Sequence, residues 1–448
     1  MPRRRTRASV SVLTDLRTLA VHAGFRKLFA VRLVSQCGDG MFQVGLATLF
    51  FFSPQNMATA TGVAQAFAVL LLPFTVVGPF AGPLLDRWRR RQVLLHGNAV
   101  RVVLTLVLAV LIGTAGISTA VYVIALVTLG INRFLLAGLS AGLPRVVPRD
   151  QLLMANTLTP TLGAASAAVG AAIGFLIGLA VPDAATDSAA LAVAAGLFGA
   201  ASALAARLRP DELGPVSRTR ITVRTAVRTT LADLAAGARY LVRRGTPGQA
   251  LGVMALHRFL YGVNFMALIL ISRNLLSDPA DAAAGLGTFA LLGGISFVGN
   301  GLAIFLTPVA HRRMAPSAWI VLCLGIGAVS QALLVTTPLR GVIIVSAVLL
   351  GLSVQGAKIA VDTIVHRDTH DTFRGRAFSL YDVLYNAAFV AAAALGAATL
   401  PDTGWSRAVF GGLTAVYVLV AALYAAGTRR LADTPRPVLP AEAAGPAA

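Results

Sequence analysis

Asp39, Asp382, Arg32, Arg101, Arg133, Arg258 and His257 all fall inside long apolar stretches of this sequence. An ionisable group in such surroundings is expensive unless it faces a protein interior or water, so each is a candidate for binding or moving a charged species. Asp39 stands about eleven residues into the first apolar helix, roughly 16 Å at 1.5 Å per residue, near the middle of a ~30 Å hydrocarbon layer. A carboxylate that passes between wet and dry surroundings takes up and releases protons. The competing reading is a permanently paired acid, with Arg32 or a base of another helix as partner. Asp382 is a second, shallower candidate. Arg133 suits either stabilising a deprotonated acid or a structural pair, Arg32 and Arg258 are further bases within crossings, and His257 is either a titrating group or a helix-packing histidine. Gln36, Gln43, Tyr261 and Asn264 supply mid-depth polar groups suited to lining a cavity, and Lys358 and Asp362 have the i,i+4 spacing of an ion pair. Cys37 and Cys323 are far apart in apolar runs, which indicates neither a disulfide framework nor a zinc site. Glycine clusters such as GTAG lack the strand–helix context of a phosphate loop. The expectation is therefore a protein that is not an enzyme, with no metal and no cofactor.

The elements that must hold these residues are membrane helices. The chain has 448 residues, of which 56% are hydrophobic and 12% charged, with a mean hydropathy of +0.77, outside the range of most water-soluble domains. Twelve stretches of roughly 20 apolar residues recur between positions 28 and 427, and strand-like alternation is absent. The net charge of +20 would suggest nucleic acid in a soluble protein, but here the arginines follow topology. With both termini cytoplasmic, the outer loops hold only Arg273, Arg340 and Arg407, against Asp183, Asp187, Asp278, Asp281 and Asp402. The remaining loop arginines lie inside, as short loops rich in Lys and Arg do.

Positions 1–27 read as a cytoplasmic N-terminal segment without a signal peptide, 28–207 and 249–427 as two six-helix halves, and 428–448 as a disordered tail rich in Pro and Ala. In the central loop, 208–248, Val223, Val227, Leu231, Leu234, Ala238 and Leu241 have helical spacing, which predicts an amphipathic helix lying on the inner leaflet or packed on the bundle. Gly170, Gly174 and Gly178 form a small-residue seam for close helix contact. Arg32 and Arg258 are 226 residues apart, and Asp86 and His311 are 225 apart, an offset that fits a duplicated half.

The segment GPLLDRWRRRQ, 82–92, closes the second apolar run with Asp86, a carboxylate at the helix end that disfavours negative charge. Gly82, Leu84, Asp86, Arg87, Arg90 and Arg91 match the loop signature between helices two and three of the major facilitator superfamily, which the chain resembles along nearly its whole length. The stretches PRVVPRDQLLMANTL, FRGRAFSLYDVLYNAAFV and LADLAAGARYLVRRG are similar to its macrolide-efflux and siderophore-exporter branch. Arg89 replaces a usual glycine, Arg133 is followed by Ala137 before Gly138, and the fifth helix lacks the Gly-Pro pair of drug antiporters.

The resemblance implies an all-α fold of twelve transmembrane helices in two pseudo-symmetric halves. Asp86 would latch against the amino end of helix eleven near Arg374 and Arg376, with Gly82 permitting close approach. The implied function is proton-coupled efflux of a hydrophobic or amphipathic small molecule, drug-, macrolide- or siderophore-like, by alternating access in the cytoplasmic membrane. Nutrient or metabolite uptake on the same fold is the first alternative, and a non-transporting scaffold or sensor acting through the central loop is the second. The expected partners are the substrate and membrane lipids, without nucleic acid, and the protein is expected to be monomeric.

Overall fold

Long apolar segments satisfy their backbone hydrogen bonds internally only as helices when no water is available, and the architecture follows from that constraint. The computed structural model describes residues 12–52, 59–76, 80, 85, 88–180, 185–214 and 222–433, and no strand occurs among them. A short helix α1 (Val12–Ala20) precedes α2 (Ala23–Ala47), α3 (Ala60–Val76), α4 (Arg90–Ala115), α5 (Thr119–Gly142), α6 (Leu152–Ala180) and α7 (Ala185–Ala206). The central-loop helix α8 (Val223–Arg244) is followed by α9 (Thr246–Leu270), α10 (Ala282–His311), α11 (Pro316–Thr336), α12 (Arg340–Asp368), α13 (Asp371–Thr399) and α14 (Arg407–Asp433). Ten of these are long and apolar enough to cross a membrane. The other two crossings are α2, which carries Arg26, Lys27, Arg32 and Asp39, and α3, of which 17 residues are described. The chain is thus a multi-pass membrane protein with the all-α fold that the sequence implies.

α2 and α9 carry the clearest trace of a repeat. Each is 25 residues long and runs without a break into a five-residue π-helical turn, Thr48–Phe52 in one and Ile271–Leu275 in the other. A π turn spoils the regular i→i−4 ladder and is rare outside functional positions, so its recurrence at one register supports duplication more directly than the scattered sequence identities.

The chain divides into two compact units. The first comprises Met1–Asp233, Phe265–Phe289 and Asp382–Gly404, so two stretches of the later chain belong with the first six crossings. Its core is α2 packed against α6 and α7, with α4 against α7 and α5. Glycine makes the α2–α6 contact possible: a Cβ on Gly40 would lie 1.8 Å from the Ala167 carbonyl oxygen, and one on Gly170 would lie 1.9 Å from that of Cys37. Gly174 meets Met41 in the same seam, while the side-chain environment of Gly178 lies outside the described residues. α1, which the sequence leaves as part of a mixed segment, buries Leu19 completely among Phe25, Leu28, Leu139 and Leu143.

The second unit comprises Leu234–Asn264, Ala290–Tyr381 and Trp405–Ala448. Here α11 packs against α12 and α14, and a second glycine pair brings α10 and α12 into backbone contact. A Cβ on Gly299 would stand 2.1 Å from Val348 O, and one on Gly351 2.1 Å from Ser296 O. α8 ends at Gly245, whose φ of 80° turns the chain sharply into α9 and which donates to the carbonyls of Leu241 and Val242.

Candidate functional site: membrane-depth charges and the arginine tract

The arginine tract at the start of α4 is a set of helix caps. Arg90 donates from Nη1 to the carbonyls of Ala141, in the last turn of α5, and of Leu213, at 2.9 and 3.1 Å. Arg91 donates from Nη2 to the carbonyl of Ala206, the last residue of α7, at 3.0 Å. Arg89 pairs with Asp211 at 3.0 Å. The last carbonyls of a helix lack intrahelical partners and carry the negative end of its dipole, so these guanidiniums fasten three helix ends to one another. Gly82, Asp86 and Arg87 lie outside the described residues, as does the side chain of Arg374.

Arg376 belongs to the second unit, where its guanidinium lies over the Phe373 ring at 5.4 Å. The main chain of α8 comes close at this point, since a Cβ on Gly237 would be 3.1 Å from Arg376 Cβ. One turn later Tyr240 stacks flat on Phe373, with centroids 4.1 Å apart, and its hydroxyl accepts the His370 N–H at 3.1 Å. Arg244 donates to the Asp368 carbonyl at 3.2 Å, and Thr246 to the Asp368 carboxylate at 2.8 Å. The carboxyl half of α8 thus packs against the entrance to α13.

At membrane depth the charges fall into distinct groups. Asp39 on α2 is bonded to Arg101 on α4, and both are buried. The guanidinium lies 3.6 Å from the Phe198 ring centroid of α7, and one turn away Ser35 donates to Asn98 at 3.1 Å. The acid is therefore held inside the first unit by a base from another helix. Arg32, also buried, donates to Gln36 at 2.9 Å, and this pair lies against Gly163 of α6, where a Cβ would collide with Gln36 Oε1. Arg133 on α5 and Asp382 on α13 meet at 3.9 Å within the first unit, with 27% and 63% of their side chains exposed. Gln43 is exposed on α2.

In the second unit Arg258 lies 5.2 Å over the Tyr261 ring, and Asn264 donates back to Leu260 O at 2.9 Å. His257, also buried, is 3.2 Å from the Ser353 hydroxyl. That hydroxyl donates to Cys323 O at 2.6 Å, and the Tyr417 ring stands edge-on to the imidazole at 5.4 Å. The imidazole Nδ1 is buried without a hydrogen-bond partner among the described residues. Lys358 and Asp362 form the pair expected from their spacing, at 2.8 Å. Among the described residues no His, Cys, Asp and Glu group could hold a metal.

Arg273 corrects the sequence reading. Counted among the outer-loop arginines, it is in fact buried in the π turn after α9 and donates to Phe51 O, in the π turn after α2, at 2.7 Å. Nearby, Asp402 accepts the Ala60 N–H at 3.0 Å, and its carbonyl accepts from Asn274. The partnership of Asp39 and Arg101 had a weak signal: they lie about eleven and about nine residues into their predicted crossings, and those two crossings start from the same face.

The chain matches no family model. It is 33% identical over 407 residues to an uncharacterised MFS-type transporter of Mycobacterium tuberculosis and to one of Mycobacterium bovis, covering 90% of this chain and 90% of each relative. In fold it is similar to the nucleoside transporter NupG, with a TM-score of 0.63 over 90% of this chain and 98% of that one, at 12% identity. It is also similar to the peptide transporter POT in its sulfate complex, with a TM-score of 0.61 over 92% and 95% of the two chains, at 12% identity. With the relatives' identity and coverage joined to this helical architecture, the chain belongs to the major facilitator superfamily as an MFS-type transporter.

Proposed function

We propose that this transporter is a proton-coupled exporter of a hydrophobic or amphipathic small molecule. It works by alternating access in the cytoplasmic membrane, with the arginine-rich face inside. The observation that carries the coupling is the ion pair of Arg133 and Asp382. At 3.9 Å and largely exposed on the acid side, it is loose enough for water to reach and for protonation to break. Asp39 is the weaker candidate, because its carboxylate is enclosed with Arg101 and a proton would have to displace a buried guanidinium. In the proposed cycle a proton entering from outside neutralises Asp382 and releases Arg133. The first unit then exchanges one arrangement for another, and deprotonation on the inner side restores the pair. The efflux direction rests on the similarity of three loop stretches to exporters, and the orientation rests on the arginine bias.

The test is transport into inverted vesicles under an imposed proton gradient, with a panel of lipophilic compounds. Wild-type protein accumulates a substrate only when the vesicle interior is acid, and Asp382→Asn loses that dependence while eluting normally on gel filtration. Retention of full gradient dependence by Asp382→Asn removes the pair from the mechanism. Accumulation only in right-side-out vesicles, driven inward by an acid exterior, makes the protein an importer. Capture of a soluble protein by the central loop, with no compound moved, makes it a scaffold.

A further inference from the structure

A concave groove on the first unit lies between α3, α4 and α5 and has a volume of about 750 Å³, within the ~300–1,000 Å³ of small-ligand sites. One edge is Trp88, just before α4, and a stripe of residues four apart on the first turns of that helix, Gln92, His96 and Val100, all exposed. Val127 and Phe134 of α5 form the other edge. Val103, Leu106, Val107 and Val110 continue the exposed surface of α4 with apolar side chains only, a face suited to lipid and not to a water-filled cavity, so the groove is read as opening sideways into the bilayer.

Polarity along the groove runs in one direction. The indole, amide and imidazole stand at the end beside the arginine tract, and the lining from Val100 and Val127 onward is apolar. From Arg90 to Val100 the helix rises roughly 15 Å, half of a ~30 Å hydrocarbon core, which is one leaflet. Trp88 sits at the polar end, where tryptophan collects at membrane interfaces, and its ring is edge-on to Phe134 at 5.7 Å. Among the described residues Arg89, Arg90 and Arg91 adjoin this end, and Arg89 has an acid, Asp211, as its ion-pair partner. Arg91 spends its described hydrogen bond on a neutral carbonyl.

We infer that this groove binds an anionic glycerophospholipid of the leaflet on the arginine-rich face. An acyl chain lies along Val100 and Val127, the glycerol–ester region lies at Gln92 and His96, and the phosphate faces the arginine tract. The site is separate from the Arg133–Asp382 pair and does not depend on the transport cycle proposed above.

Trp88 is its own reporter. Full-length protein is reconstituted in phosphatidylcholine vesicles carrying a small fraction of phosphatidylglycerol brominated on its acyl chains, or the same fraction of brominated phosphatidylcholine. The Trp88 signal is the fluorescence lost in Trp88→Phe. The expected result is quenching of that signal at a roughly fivefold lower fraction of the anionic lipid, the preference of one basic residue near an anionic headgroup. The preference should disappear in Val100→Phe/Val127→Phe, whose rings fill the groove from its exposed edge without entering the core, and millimolar inorganic phosphate should not relieve the quenching. Equal quenching by both lipids overturns headgroup recognition. A preference that survives the filled groove overturns the site, and relief by phosphate alone shows a headgroup contact without an acyl-chain groove.

Discussion

Asp39 and Arg101 are buried against each other between α2 and α4. Each neutralises the other in a place that water does not reach, with Phe198 beneath the guanidinium. Removing one partner of a buried pair strands the other, at a cost of about 3–5 kcal/mol. Asp39→Asn and Arg101→Gln are therefore each expected to lower the melting temperature in detergent strongly. The double variant Asp39→Leu/Arg101→Leu should recover most of the loss, because an apolar pair of similar volume leaves no charge behind. A double variant as unstable as the worse single one would show that the network itself, with Ser35 and Asn98, is needed. The sequence marks both residues as costly at similar depth but not as neighbours, since adjacency of α2 and α4 is a tertiary fact. The Arg133–Asp382 contact had no such signal at all: the two residues are 249 positions apart, on crossings that no local pattern relates.

Backbone proximity and helix-end capping join helices of the first unit beside a core of large side chains such as Phe25, Phe42 and Phe198. Between apolar helices in lipid, contact is gained mainly by close packing, which small residues permit. At Gly170 the opposing Cys37 carbonyl leaves no space for a methyl group, so Gly170→Ala is expected to destabilise by about 1–3 kcal/mol. Gly196 on α7 has nothing within 4 Å of its Cβ position, and Gly196→Ala should be neutral or stabilising by up to ~1 kcal/mol through reduced chain entropy. Thermal unfolding in detergent separates the two, and equal shifts would show that the α2–α6 seam yields. That a glycine seam exists on the fifth crossing was legible from spacing. Its partner, and the matching use of Gly40 from α2, were not. The amphipathic α8 was likewise legible as an element, whereas its docking through Tyr240 on Phe373 depends on where α13 begins.

At the scale of the whole molecule, the proposed orientation makes a direct prediction. Thr229 on α8 and Ala280 before α10 are both exposed and are expected on opposite sides of the membrane. A membrane-impermeant maleimide should label Ala280→Cys in intact cells and Thr229→Cys only after permeabilisation, and the reverse pattern would invert the topology. Apolar length and arginine bias are one-dimensional properties, decided by the thickness of hydrocarbon and the charge of short loops. The sequence by itself therefore determined that the chain crosses a membrane repeatedly, in two related halves. Only the tertiary structure decided which charges meet, that Asp39 is enclosed and Asp382 reachable, and that Arg273 turns inward. The physical reason is that helices in lipid are apolar on the outer side as well as the inner, so periodicity does not reveal which face of a helix meets its neighbour.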